Sequence, residues 1–291
     1  MNSQIARQLW DRLWQKYIAR VTYAQTYQQM ILNAGGTIAN DHIAFRSLRL
    51  STGEKNLGID YLGTISEALG YEVAGEYTFP ETKLYARHYQ HSDDLPKLFI
   101  SELIVEELPD AIADAIYQTV SSASILDLST LKDLIATSDI ETIAQIYTRP
   151  WLPPKLSVVE KVNATTQYGA WVLLHGYAVN HFTGYINSQN TPQYPDIETT
   201  AKALSELGVP MKAEIEGSTG SGLRQTATFA VKEMVSVVDD SSNQVVQIPW
   251  TYAYYELAER CIVELEPGKN LLFQGFKGNN AQNLFEMTRK S

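Results

Sequence analysis

Cysteine is almost missing from this 291-residue chain, with Cys261 the single one. No intramolecular disulfide can form, and no cysteine-based zinc or iron–sulfur site can be built from this chain alone. Histidine is scarce too: there are five (His42, His88, His91, His175 and His181). Any metal site must draw on these together with Asp and Glu. No apolar run approaches the roughly 20 residues that a bilayer-spanning helix needs. The opening stretch MNSQIARQLWDRLWQKY is charged throughout and has no apolar segment of the secretory kind. Basic residues are outnumbered, since 23 Lys and Arg against 33 Asp and Glu give a net charge of −10. That balance argues against nucleic acid as the main partner. The expectation is a cytoplasmic chain with neither a nucleic-acid nor a membrane partner. With 44% hydrophobic and 19% charged residues, the composition is globular, which excludes disorder.

Ile5, Leu9, Leu13 and Tyr17 recur every four residues, with Trp10, Trp14 and Ile18 beside them. This spacing predicts one or two helices over 4–33, packed on the core by that stripe, with Ala34-Gly35-Gly36 ending the segment. A β-α-β-β-β order follows: a strand at 42–47, a helix at 61–69 stopped by Gly70, and strands at 71–79, 82–89 and 97–108. Residues 109–160 read as a helical connection, with helices at 109–120, 129–136 and 140–147 and an interruption at Trp151-Leu152-Pro153-Pro154. The first order then returns. A long strand is predicted over 171–185, then a helix capped by Asp196 and closed by Gly208. Strand-like stretches cover 211–216, 224–238 and 246–258, and a final helix is predicted over 280–288. The Gly-Ser-Thr-Gly-Ser-Gly run at 217–222 lacks the lysine of a phosphate loop and reads as a hairpin. The fold class expected is α+β, with paired β-α-β-β-β units forming a cupped half-barrel and with added N-terminal and central helices. One metal-binding domain covers 1–291, the first unit ending at 108, the helical connection at 109–160 and the second unit beginning at 161.

Strand alternation decides which side chains share the cup. His42, Ala44 and Arg46 point one way, while Ile43, Phe45 and Ser47 point to the core. In the second unit His175, Tyr177, Val179, His181 and Thr183 share a face of the predicted strand, and Tyr254, Glu256, Ala258 and Arg260 share another. Two histidines and one carboxylate on separate strands form the facial triad of non-haem Fe(II) oxygenases, which leaves coordination positions open for substrate and O2. Arg46 could clamp a remote carboxylate. At this level His175 rivals His181 and Glu102 rivals Glu256. Glu259 faces away, and His88 and His91 are expected outside the ligand set.

The motifs Asp41-His42-Ile43-Ala44-Phe45-Arg46-Ser47, Ala86-Arg87-His88-Tyr89, Phe99-Ile100-Ser101-Glu102-Leu103, Ala170-Trp171-Val172-Leu173-Leu174-His175-Gly176, Val179-Asn180-His181-Phe182-Thr183 and Tyr254-Tyr255-Glu256-Leu257-Ala258-Glu259-Arg260 resemble the 2-oxoadipate dioxygenase/decarboxylase family. That family is related to the vicinal-oxygen-chelate superfamily of paired β-α-β-β-β units. The resemblance implies a mononuclear Fe(II) enzyme that converts 2-oxoadipate and O2 to 2-hydroxyglutarate and CO2 in lysine catabolism. It also implies His42, His181 and Glu256 as metal ligands, with Arg46 as the residue that pairs with the distal substrate carboxylate. Two other readings keep the cup: a chelate-fold metalloenzyme acting on a different 2-oxo acid, and a non-enzymatic small-molecule binder.

Overall fold

The structure, a computed structural model, describes residues 2–266, 268–277 and 288. Two helices open the chain, α1 (Asn2–Ile18) and α2 (Thr22–Asn33). The first unit follows as β1 (Asn40–Arg49), a small hairpin of β2 (Ser51–Thr52) and β3 (Lys55–Asn56), α3 (Ile59–Ala68), β4 (Tyr71–Phe79), β5 (Leu84–His91) and β6 (Lys97–Ile104). Five helices connect the halves: α4 (Asp110–Val120), α5 (Leu131–Ala136), α6 (Ile140–Gln145), α7 (Leu156–Thr165) and α8 (Gln167–His175). The second unit contains β7 (His181–Tyr185), α9 (Ile197–Glu206), β8 (Leu223–Ala227), β9 (Lys232–Val238), β10 (Val245–Thr251) and β11 (Glu256–Arg260). A hairpin of β12 (Ile262–Glu266) and β13 (Lys269–Leu272) follows. None of the described helices is long and apolar enough to cross a membrane.

Seven strands form one curled sheet in the order β4-β5-β6-β1-β7-β11-β8. The first strand of each unit pairs in parallel with the last strand of the same unit, β1 with β6 and β7 with β11. The two units join where β1 meets β7 antiparallel, with Ala44 opposite His181 and Ile43 opposite Phe182. This is the expected α+β half-barrel with its N-terminal and central helices.

Alternation along these strands separates core from cup. Phe45 packs against Trp10 at 6.2 Å and Tyr147 at 4.8 Å between ring centroids. Phe182 packs against Trp14 at 5.1 Å and Tyr17 at 5.0 Å. The stripe of α1 is therefore buried on the convex side of the sheet, with Ile5, Leu9, Leu13 and Tyr17 all in the core. Each such side chain contributes about 1.5–3 kcal/mol relative to exposure. The Tyr17 hydroxyl also donates to the Tyr254 carbonyl, two residues before Glu256. The N-terminal helix thus fixes the backbone that leads into the site.

Several expectations are corrected. The long strand predicted over 171–185 is a helix followed by a strand. α8 ends at His175, Gly176 turns the chain with φ of +62°, and only His181–Tyr185 is strand. The run Ala170-Trp171-Val172-Leu173-Leu174 is buried on every side, so it carries no period, and an apolar run of this length is compatible with either state. Helical structure therefore continues through α7 and α8, beyond the 160 boundary expected. In the second unit the stretches 224–238 and 246–258 each divide in two. β8 and β11 join the main sheet, whereas β9 and β10 pair as a separate hairpin. Residues 211–216 touch the neighbouring chain only through isolated bridges, Met211 to Thr228 and Glu216 to Gln225. The run at 217–222 forms a short 3-10 turn, Thr219–Ser221, closed by Gly222. The helix expected over 280–288 lies outside the described residues, Thr288 apart.

Candidate metal centre

The register of the central strands assembles the site. His42 on β1 lies opposite Thr183 on β7, and Glu256 on β11 lies opposite Thr183 from the other side. His181 sits one pleat along β7. Cross-strand neighbours approach to about 4.5–5.5 Å at Cβ, so three side chains on one concave face converge. His42 Nε2 and His181 Nε2 are 3.3 Å apart. His181 Nε2 lies 3.4 Å from Glu256 Oε2, and His42 Nε2 lies 3.7 Å from Glu256 Oε1. One ligand atom from each of the three falls within 4.8 Å of the others, and all three residues are buried.

Each imidazole is held from behind by the residue before it. His42 Nδ1 donates to Asp41 Oδ2 at 2.8 Å, and His181 Nδ1 donates to Asn180 Oδ1 at 3.1 Å. These acceptors assign the Nδ1–H tautomer to both rings, which leaves both Nε2 lone pairs aimed at the centre. Burial pushes both histidines below their usual range, so both are neutral. Burial pushes the Asp41 carboxyl up, but Arg260 and His42 outweigh it and hold it well below the carboxylate range.

The donor set fits a divalent cation. Two imidazole lone pairs face each other at 3.3 Å with no proton between them; the Thr183 hydroxyl approaches one of them at 3.1 Å. Glu256 is fully buried, and burial drives its carboxyl well above the usual range. Gln225 Nε2 donates to its Oε1 at 2.5 Å, while Oε2 has no hydrogen-bond partner among the described residues. A cation at the point where these three atoms meet would neutralise the carboxylate and satisfy both lone pairs. Two nitrogens and one oxygen make a set of three donors, which would leave a six-coordinate cation positions for other ligands.

Beside the triad lies a small cavity of about 30 Å³, lined by His42, Ala44, Arg46, Asn180, Tyr254 and Phe276 among others. Arg46 is fully buried at its far end. It stands four residues from His42 on the same strand face, roughly 13 Å of extended backbone, and the small Ala44 lies between them. The guanidinium sits over the rings of Tyr168 (4.8 Å) and Trp171 (5.0 Å), both on α8, and donates to Thr288 Oγ1 at 2.9 Å. Helix α8, misread as a strand, is therefore the cradle of Arg46. Two more buried polar atoms on residues lining the cavity have no partner among the described residues, Asn180 Nδ2 and Tyr254 Oη. Tyr254 stacks on His181 at 4.7 Å.

The rivals fall elsewhere. His175 lies on α8, where its Nε2 meets the Thr251 carbonyl at 3.0 Å and its Nδ1 lies 3.4 Å from Glu233. Glu102 accepts from Arg49 Nε at 2.6 Å and from the Ile59 amide at 2.8 Å, at the start of α3. Glu259 pairs with Arg224 at 2.6 Å. His88 bonds Tyr77, and His91 accepts from the Asp93 amide. Sequence reasoning missed Asp41, Asn180 and Gln225 as supports. A polar acceptor directly before each ligand histidine was the available signal for the first two; Gln225 left none.

The chain is 27% identical over 271 residues to a chloroplastic 2-oxoadipate dioxygenase/decarboxylase of Arabidopsis thaliana, covering 85% of this chain and 67% of that one. Its fold matches the crystal structure of the Oryza sativa hydroxyglutarate synthase in complex with 2-oxoadipate, with TM-score 0.80, 24% identity and coverage of 99% and 93% of the two chains. It also matches a protein from Ralstonia eutropha JMP134 assigned to the glyoxalase superfamily, with TM-score 0.82, 22% identity and coverage of 95% and 87%. The sequence signature of one enzyme family spans residues 6–286, nearly the full chain and all three converging side chains, and the protein belongs to that family, the 2-oxoadipate dioxygenase/decarboxylases.

Proposed function

We propose that this chain is an Fe(II)-dependent enzyme that converts 2-oxoadipate and O2 to 2-hydroxyglutarate and CO2. His42, His181 and Glu256 hold the metal, and Arg46 receives the distal carboxylate. The reading is carried by one observation: two neutral imidazoles and a buried carboxylate converge beside a cavity whose other end is a buried guanidinium. Fe(II) in such a donor set supplies Lewis acidity and the redox chemistry with O2 that no side chain here can supply. The reaction balances, because one carboxyl carbon leaves as CO2 and the two atoms of O2 end in the product.

The protein's part is to bind, orient and exclude water. Arg46 offers a planar pair of donors matched to a carboxylate, in a site dry enough to make the pairing count. A monocarboxylic 2-oxo acid would forgo that pairing, at a cost of a few kcal/mol. Asn180 Nδ2 and Tyr254 Oη are positioned as donors for substrate oxygens between the two ends. Asp41 and Asn180 keep both ligand rings in the tautomer that presents Nε2. The whole chain then acts as a single metal-binding domain, with 2-oxo acid and O2 as its small-molecule partners.

Oxygen uptake decides the matter. Protein reconstituted anaerobically with Fe(II) should consume O2 on addition of 2-oxoadipate, and a His42→Ala control should not. Uptake equal to that control would overturn the assignment.

A further inference from the structure

Phe276 lines the cavity beside the triad and stands against one of its rings. Its ring packs edge-on to His42 at 4.8 Å and against Phe99 at 5.0 Å, and its amide donates to the Tyr77 hydroxyl at 3.2 Å. With Phe276 and Lys277 in place the cavity holds about 30 Å³, room for about one water molecule. A six-carbon dicarboxylate needs several times that, and displacement of Phe276 would make the room.

One buried side chain touches both the segment that carries Phe276 and the carboxylate behind His42. Arg260, at the end of β11, donates through Nε to Asp41 Oδ1 at 2.5 Å and through Nη2 to Asp41 Oδ2 at 2.8 Å. Its Nη1 donates to the carbonyls of Phe273 at 3.0 Å and Gly275 at 2.9 Å. Asp41 Oδ2 is the same atom that accepts from His42 Nδ1. A single guanidinium therefore grips the carboxylate that orients His42 on one edge and the backbone that carries Phe276 on the other. The planar fork allows this; an ammonium cannot serve a two-point carboxylate and two carbonyls together. The arginine is almost fully buried, so losing either set of acceptors leaves donors without partners.

We propose that Arg260 is a positioning residue that couples the seating of Phe276 to the orientation of His42. Withdrawal of the 273–277 segment strips two acceptors from Nη1 and loosens the hold on Asp41. Return of the segment restores both. The consequence for metal affinity rests on the metal-centre reading given above, whereas the hold on the segment does not.

The test uses the metal-free full chain with Co(II) as the probe, in wild type, Arg260→Lys and Asp41→Asn. Amide hydrogen exchange is followed at Phe273 and Phe276, with the β4–β5 hairpin as a control for folding. Co(II) affinity is read from its visible absorption. Exchange at both amides should quicken tenfold or more in each variant while the control stays fixed, and Co(II) affinity should fall 10- to 100-fold. Asp41→Asn is the sharper variant, because it leaves both carbonyl bonds available and can loosen Phe276 only through Arg260. If Arg260→Lys fails to fold, Asp41→Asn decides alone. A folded variant that loses Co(II) affinity with exchange unchanged, or gains exchange with affinity unchanged, would overturn the coupling. Wild type that binds no Co(II) counts against the metal centre itself, and exchange in Asp41→Asn then decides the link to Phe276.

Discussion

Arg46 and Ala44 both line the cavity, at the end proposed to receive the distal carboxylate. Arg46→Ala should erase the preference for 2-oxoadipate over 2-oxohexanoate, by roughly 10- to 100-fold in relative kcat/KM for a few kcal/mol of lost pairing. Undiminished preference in steady-state oxygen uptake would remove Arg46 from that role. Ala44 leaves space on the face between His42 and Arg46 because it ends at Cβ. Ala44→Leu should fill that gap, raise KM for 2-oxoadipate at least tenfold and leave metal uptake unchanged. Metal analysis beside kinetics separates the two effects; a loss of metal uptake would mean that the leucine disturbs the triad instead. Both residues were legible in the sequence, since a single alternating strand places His42, Ala44 and Arg46 together. Asp41 and Asn180 were legible in principle as polar neighbours of the ligands. The partnership of Arg260 with Asp41 spans 219 positions of sequence and has no local signature.

The connecting helices illustrate where local pattern ends. The helix α9 was readable because Asp196 caps it, accepting from the Thr199 amide at 2.8 Å, and Gly208 ends it. The strand β4 was readable because its faces differ. The helix α8 offers no differing faces. Its marks are at its ends: Thr166, which accepts from the Gly169 amide, and Gly176. Gly176 has φ of +62° and ψ of −128°, and a Cβ there would stand 2.3 Å from Arg149 Cα. Gly176→Ala should therefore cost about 1–3 kcal/mol from backbone conformation alone, and more from the clash. Because α8 also carries Tyr168 and Trp171 against Arg46, substrate affinity should fall with stability. A thermal unfolding midpoint equal to wild type would refute this account of the turn.

The link between α1 and α2, helix α8 and strand β9 meet at a partly exposed junction away from the cup. Glu233 on β9 accepts from Arg20 Nε at 3.0 Å and Nη2 at 2.7 Å, and lies 3.4 Å from His175. Burial raises the Glu233 carboxyl, but His175 and Arg20 outweigh it and hold it at about 2. A carboxylate depressed on folding contributes stability that is complete above its unfolded value of about 4.5. That stability is lost as pH falls from there towards 2. Glu233→Gln should remove this part of the acid dependence, so that denaturant midpoints between pH 5 and 3 decline less steeply than in wild type. Parallel slopes in the two proteins would show that the junction does not titrate.

The antiparallel seam between β1 and β7 has a final consequence. One imidazole comes from the first half of the chain, and the second imidazole and the carboxylate come from the other. Neither half owns a complete grip, so an ion lodged there acts as a rivet across the join, and whatever prises the halves apart also empties the socket.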